Sequence, residues 1–254
     1  MQDKRAEIKL MHQELEERDW EDTPPQVKSR IKQIQLLQPI LSKDALVLDA
    51  GCGPGNYGIL LGEQNNVIGV DISSEATEFA IRRARKADSQ FLPLAADLEK
   101  LPFNSNSFDI CLCAYTLHHF PNIHNVVGEL VRVTKPEGKV VLLDANGSNP
   151  GLQLSVILEK LVDHWLVAKG LDTPNETHHT HKYLSSALQK QGVRDIRVYS
   201  HYFGGLPPMR PNPDFVLSMM YVAVRLRRIM YTLTAKLLPQ PFKGVDLLII
   251  GTKS

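Results

Sequence analysis

Cysteine, aromatic side chains, net charge and long apolar runs are all scarce in this chain, and each shortage removes a class of protein. Three cysteines in 254 residues cannot build a disulfide framework. Cys111 and Cys113 alternate on one apolar stretch, as small buried hydrophobes do, and with Cys52 they lack zinc-site spacing. The set suits a reducing compartment. Lys and Arg number 29 against 28 for Asp and Glu, a formal charge of +1, so no global field draws the chain to nucleic acid. No run of about 18 uncharged apolar residues is present, which argues against a membrane span. Met1-Gln-Asp-Lys-Arg5 carries charge with no apolar segment behind it, which argues against a secretory leader. The expectation is a cytoplasmic enzyme whose 43% hydrophobic content suffices for one sizeable core.

Against this background the stretch from Val47 to Asn56 stands out, because it sets an acidic residue and a run of glycines at the end of an apolar strand. Val47 and Leu48 end the strand. Gly51, Gly53 and Gly55 then let the backbone turn with positive φ while a ligand packs against it. A dinucleotide fingerprint would require glycine at Asn56, so the spacing suits a cofactor with an ammonium and no pyrophosphate better than a nicotinamide dinucleotide. About 20 residues on, the strand Asn66 to Asp71 ends in a carboxylate placed to accept from ribose hydroxyls. Further strands are expected at Phe91 to Ala95, running into Asp97 and Leu98, at Phe108 to Ala114, opening into the loop Tyr115 to Phe120, and at Lys139 to Asp144. In an open parallel sheet these polar strand endings converge on one crevice.

The same segments, together with Leu101-Pro-Phe103, Ser107-Phe-Asp109, Leu117-His-His-Phe120 and the run Leu130 to Gly138, resemble in strict order the motifs of class I S-adenosylmethionine-dependent methyltransferases, in particular the type-11 small-molecule group. The resemblance covers roughly residues 40 to 145. It implies an α/β, Rossmann-like class I methyltransferase fold: a seven-stranded, mostly parallel sheet with helices on both faces. It also implies S-adenosyl-L-methionine as cofactor, with the loop of Gly51, Cys52, Gly53 and Gly55 around the methionine end and Asp49 supporting that loop and the amino group. Asp71 would then bind the ribose hydroxyls, with Ile72 beside it in the cofactor site, Asp97 and Leu98 would meet the adenine amine and ring, and Tyr115 would line the methionine end. The tetrapeptide Cys113-Ala-Tyr-Thr116 replaces the N-P-P-Y-like sequence expected of enzymes that methylate base amino groups in DNA.

Three additions surround this core. Residues 1–40 are expected to form a helical N-terminal cap on a methyltransferase domain at 41–254, with Ile8, Leu10, Met11 and Leu15 in one helix and Val27, Ile31, Ile34 and Leu37 in a second. Packing against the sheet is the plainer role for them. Insertions at 146–180 and 201–243 leave the ligand-side ends of strands and exceed ordinary connection length, which marks them as a helical substrate lid. Within the second, the helical stretch from Phe215 to Leu238 is rich in Met and carries Arg225, Arg227 and Arg228. A pocket wall, dimer or core packing, and peripheral membrane contact are its three candidate roles.

Methyl transfer is an in-line displacement, so the main demand is alignment and exclusion of water; a base is needed only for an acceptor that must lose a proton. His118 and His119 follow the fourth strand and are the candidates for that base, although they could simply shape the loop or touch the cofactor. His178, His179 and His181 have no acidic or cysteine partners nearby in sequence, so a solvated loop is expected rather than a metal site, with a lid-borne base or acceptor contact as the other reading. The expected activity is methylation of oxygen, nitrogen or carbon on a small to medium, rather apolar acceptor. A cofactor-binding sensor without turnover and a nicotinamide-dependent oxidoreductase are the alternatives.

Overall fold

The computed structural model describes residues 24–153, 177–201, 233, 237–242, 244 and 246–254. The first helix, α1 (Pro24–Leu37), starts on two prolines, whose missing N–H groups are harmless in a first turn. It buries Gln33, Ile34 and Leu37, while Ile31 is 42% exposed. The inward face is thus rotated from the expected Val27, Ile31, Ile34 and Leu37 stripe, and a polar residue sits in it because Gln33 finds two tyrosine hydroxyls.

Seven strands follow: β1 (Leu46–Ala50), β2 (Asn66–Asp71), β3 (Phe91–Ala95), β4 (Phe108–Ala114), β5 (Thr134–Ala145), β6 (Val193–His201) and β7 (Asp246–Lys253). Their order in the single sheet is β3-β2-β1-β4-β5-β7-β6. All neighbours from β3 to β5 are parallel, and β7 runs antiparallel between β5 and β6. This is the mostly parallel seven-stranded sheet that the resemblance implied. The order reverses between β1 and β4, and ligands of open α/β sheets bind at the carboxyl edge of such a switch point.

The short helix α2 (Gly58–Leu61) follows β1, α3 (Ser74–Lys86) follows β2, α4 (His124–Val133) precedes β5, and α5 (His181–Lys190) precedes β6. Ser73 caps α3 by accepting from Ala76 N–H at 3.1 Å, and basic Arg83, Arg85 and Lys86 occupy its last turn, where they complement the helix dipole. Gly192, at φ 81°, follows α5 in the left-handed conformation that glycine adopts after a helix. The core divides into two layers. One face of the sheet packs Leu48, Val70, Cys111, Cys113 and Leu142 against α4 and α5. On the opposite face Val47, Tyr57, Phe91, Leu112 and Val141 meet α1, α2 and α3.

β5 begins at Thr134, not at Lys139 as expected. Thr134 pairs with Phe108 ahead of a register shift in β4, and Glu137 is held at φ 63°, so the added residues form an irregular entry to a regular strand. The first expected helix with Ile8 and Leu15, most of the 146–180 insertion and nearly all of the Phe215 to Leu238 stretch lie outside the described residues.

Candidate active site

At the carboxyl edge, β1 ends in the glycine turn. Gly51 and Cys52 N–H both bond the carbonyl of Val70, at 2.7 and 3.0 Å, which locks the turn to β2. Gly51 has φ 77°, and a Cβ there would lie 2.2 Å from Thr116 Oγ1, so no other residue fits. A Cβ on Gly53, by contrast, would meet only Asp71 Oδ2, at 4.0 Å, and would occupy open space over the turn. The turn therefore has room at Gly53 that it lacks at Gly51.

Asp49 sits beneath the turn, 1% exposed, and its Oδ2 is buried without a hydrogen-bond partner. Burial pushes its pKa up to about 7, helped by the nearby Asp71 and opposed by the Gly58 amide. An ammonium group would satisfy that oxygen and restore the charge. Asp71 is also buried, and its pKa is raised by desolvation against the pull of backbone amides. Its Oδ2 accepts from Gly53 N–H at 2.8 Å and its Oδ1 from Ser73 N–H at 3.0 Å, so it braces the glycine turn from β2. Each oxygen keeps a second lone pair. Ile72, beside it, is 38% exposed and offers an apolar surface at the same edge. Both features fit a nucleoside cofactor with an amino group.

The remaining sequence-derived positions divide between this edge and the core. Asp97 is half-buried and accepts from Glu99 N–H at 3.0 Å, following β3. Leu98 packs its side chain in the core. Cys52 is buried on the opposite layer, and burial pushes its thiol well up, so it acts as a packing residue of the turn. Tyr115, held at φ 51°, donates its hydroxyl to Asp246 Oδ1 at 2.5 Å and accepts from Gln33 Nε2 at 2.8 Å. Tyr57 in turn donates to Gln33 Oε1 at 2.5 Å and stacks on Tyr115 with ring centroids 6.3 Å apart. This chain of bonds ties α1, the glycine turn, the end of β4 and the start of β7 together.

The loop after β4 winds into a single 3-10 turn, Leu117–His119. His118 and His119 lie side by side there, ring centroids 4.1 Å apart, but in different electrostatic settings. His118 Nδ1 lies 2.8 Å from Asp144 Oδ1, and its backbone N–H donates to Asp144 Oδ2 at 3.0 Å. Asp144 is almost fully buried at the end of β5. Burial alone would raise its carboxyl, yet the His118 charge and the hydrogen bonds from His118 and Ala145 outweigh it and hold the pKa below the usual range. A carboxylate held ionised at Nδ1 keeps the proton there and leaves Nε2 as the basic nitrogen. His119 differs: burial and the neighbouring His118 lower its pKa to about 4, so it is a neutral imidazole at ordinary pH.

The loop histidines correct one expectation, since His179 is 5% exposed instead of solvated. Its Nε2 lies 3.0 Å from the carbonyls of both Leu117 and Phe120. His181 Nδ1 meets Ser148 Oγ at 2.6 Å. Among the described residues no group of three or more His, Cys, Asp or Glu side chains could hold a metal, and no helix is long and apolar enough to cross a membrane. Sequence reasoning placed Asp144 only as a strand ending and passed over Gln33 and Tyr57. Their contacts span 26 and 82 residues for the His118–Asp144 and Gln33–Tyr115 pairs, so only a side-chain-bearing fold reveals them.

Comparison with known proteins agrees with this geometry. A family described as "Methyltransferase domain" matches residues 48–142, from the glycine turn to β5. Over 167 residues the chain is 30% identical to the demethylmenaquinone methyltransferase of Lactobacillus johnsonii, covering 59% of this chain and 68% of that one. The chain belongs to the class I S-adenosylmethionine-dependent methyltransferases. This methyltransferase is also 36% identical, over 110 residues, to the 27-O-demethylrifamycin SV methyltransferase of Amycolatopsis mediterranei, a match covering 42% of this chain and 40% of the relative. The match therefore spans well under half of that relative's length. The crystal structure of YcgJ from Bacillus subtilis superposes with a TM-score of 0.59 at 21% identity, covering 89% of the methyltransferase and 97% of YcgJ, and so shares its fold.

Proposed function

We propose that this methyltransferase transfers a methyl group to a small or medium-sized, rather apolar acceptor through a nucleophile that must lose a proton, and that His118 is the base. When bound, S-adenosylmethionine supplies an electrophilic methyl group on a sulfonium. Asp49 would hold the amino group of its methionine end, the Gly51 to Gly55 turn would cradle that end, Asp71 would accept from the ribose hydroxyls, and Ile72, Asp97 and the Leu98 backbone would flank the base. Tyr115 contributes its ring, since its hydroxyl is engaged elsewhere.

One observation carries the base assignment: His118 is paired through Nδ1 with the ionised Asp144, while His119 is depressed to about 4. His118 would take a proton from the acceptor at Nε2, and Asp144 would stabilise the imidazolium that forms. A hydroxyl or an acidic carbon suits this arrangement, because a neutral amine can attack before it loses its proton. Two relatives are named as methyltransferases of 27-O-demethylrifamycin SV and of demethylmenaquinone, which favours a small-molecule acceptor. The 146–180 and 201–243 insertions take the part of a substrate lid in this account. Their described roots meet each other, with Asn146 and Asn149 bonding the carbonyls of Pro241, Phe242 and Gly244.

The test begins with cell-extract fractions as acceptor source and S-adenosylhomocysteine formation as readout. Wild type should form it, Asp49→Asn should not, and His118→Asn should turn over about 10²–10⁴-fold more slowly at unchanged cofactor affinity. Equal turnover by wild type and His118→Asn would remove the base.

A further inference from the structure

The 3-10 turn that presents His118 is held on one side by Asp144 at the end of β5, and His179 reaches it from a different segment of the chain. Its imidazole Nε2 lies 3.0 Å from Leu117 O and 3.0 Å from Phe120 O, the carbonyls on either side of the His118–His119 pair. Two carbonyls accept only, so Nε2 carries the proton and donates to both. The backbone around His179 repeats the grip: Thr177 N–H donates to His118 O at 2.8 Å, and Gly147 N–H donates to His179 O at 3.1 Å.

His179 is itself held. It is 5% exposed, its ring packs on Tyr183 with centroids 5.2 Å apart, and Tyr183 belongs to α5, whose first turn is capped by the Thr180 hydroxyl. Gly147 follows β5 three residues after Asp144, the partner of His118. One clamp therefore reaches both halves of the proposed base: the turn bearing the imidazole and the strand end bearing its carboxylate.

We infer that His179 is a positioning residue for the reaction, clamping the Leu117–Phe120 turn so that the His118 ring stays aligned on Asp144 with Nε2 directed to the acceptor. The inference rests on His118 being the base, but its physical content, that His179 fixes the geometry of His118, can be measured without any acceptor. Removing the donor leaves the buried Leu117 carbonyl and the part-buried Phe120 carbonyl competing for other partners, and the turn relaxes away from the Asp144 register. Gln can place an amide N–H near the position of Nε2; Phe keeps the ring shape and removes the donor; Asn is too short to reach the carbonyls.

The experiment is nitrogen-15 NMR of the histidine rings in the full chain saturated with S-adenosylhomocysteine, with calorimetry of S-adenosylhomocysteine binding alongside. In wild type and His179→Gln, the His118 ring should give one tautomer with the proton on Nδ1. In His179→Phe the two tautomers should average while the dissociation constant changes by less than about threefold; if that variant does not fold, His179→Asn takes its place with the same expectation. A His118 signature unchanged in the donor-less variant overturns the positioning role. Turnover separates the two readings: if His118→Asn is fully active, the base assignment fails, whatever the NMR gives for His179. If His118→Asn is impaired, His179→Phe should lower kcat about 10–100-fold with little change in the cofactor KM, and His179→Gln should recover most of it.

Discussion

Asp49 is a liability to the ligand-free chain, and its cost indicates its use. Its folded pKa of about 7 lies above the ordinary carboxylate value, so its contribution to stability is fully present below the unfolded pKa and is lost as pH rises through about 7. Asp49→Asn should therefore raise the melting temperature of the ligand-free protein by several degrees at pH 8, with the gain shrinking toward pH 4; a calorimetric scan at both pH values checks this. Cofactor affinity should follow the opposite course. An ammonium needs the carboxylate ionised, so wild-type affinity for S-adenosylhomocysteine should weaken as pH falls below about 7, whereas the Asn variant should bind weakly and without that dependence. Isothermal titration across pH 6 to 8 distinguishes the two, and a flat wild-type profile would take Asp49 out of the site. His118 makes the contrasting case. Its role depends on Asp144 staying ionised, and Asp144→Asn, which keeps the shape but loses the charge, should reduce turnover nearly as much as His118→Asn does while leaving cofactor binding alone.

The elements follow from local pattern where the pattern is local. The strands from β1 to β4 stand where apolar runs and turn residues placed them, and for the central β1 and β4 burial on both faces leaves a continuous apolar signature. β5 begins earlier, since its entry pairs irregularly with Phe108 and no periodic signal marks such a segment. The proposed cofactor edge was legible because glycines and strand-end carboxylates are close in sequence. The proposed base was legible only in half: two adjacent histidines are visible, but the carboxylate that distinguishes them stands at another strand end, and the burial of His179 against two carbonyls has no sequence mark. Side-chain to backbone bonds of this kind also root the insertions. Asn149 donates to the carbonyls of Phe242 and Gly244 at 3.1 and 3.0 Å and accepts from Gly151 and Leu152 N–H, all from a fully buried position. Asn149→Leu should remove these bonds and lower stability by about 1–3 kcal/mol. Chemical denaturation reads this directly; an unchanged midpoint would mean that the insertion roots are held by other contacts.

At the scale of the whole molecule, a sheet with its switch point between β1 and β4 carries every proposed ligand contact on one edge, while the helices cover its faces. Binding on that edge should stabilise the whole domain, because the glycine turn is bonded to β2 and, through Tyr57, Gln33 and Tyr115, to α1 and β7. At a hundredfold excess of S-adenosylhomocysteine over its dissociation constant, the gain is about 2.7 kcal/mol, a rise in melting temperature of about 5–10 °C. The most direct test of the central claim is titration calorimetry of S-adenosylhomocysteine into the wild-type chain and into Asp71→Ala, with NADH as competitor. The account predicts one site of micromolar affinity, worth about −8 kcal/mol, weakened by about 1.5–3 kcal/mol in the variant and indifferent to NADH. Preferential binding of NADH, or equal affinity in Asp71→Ala, would contradict it.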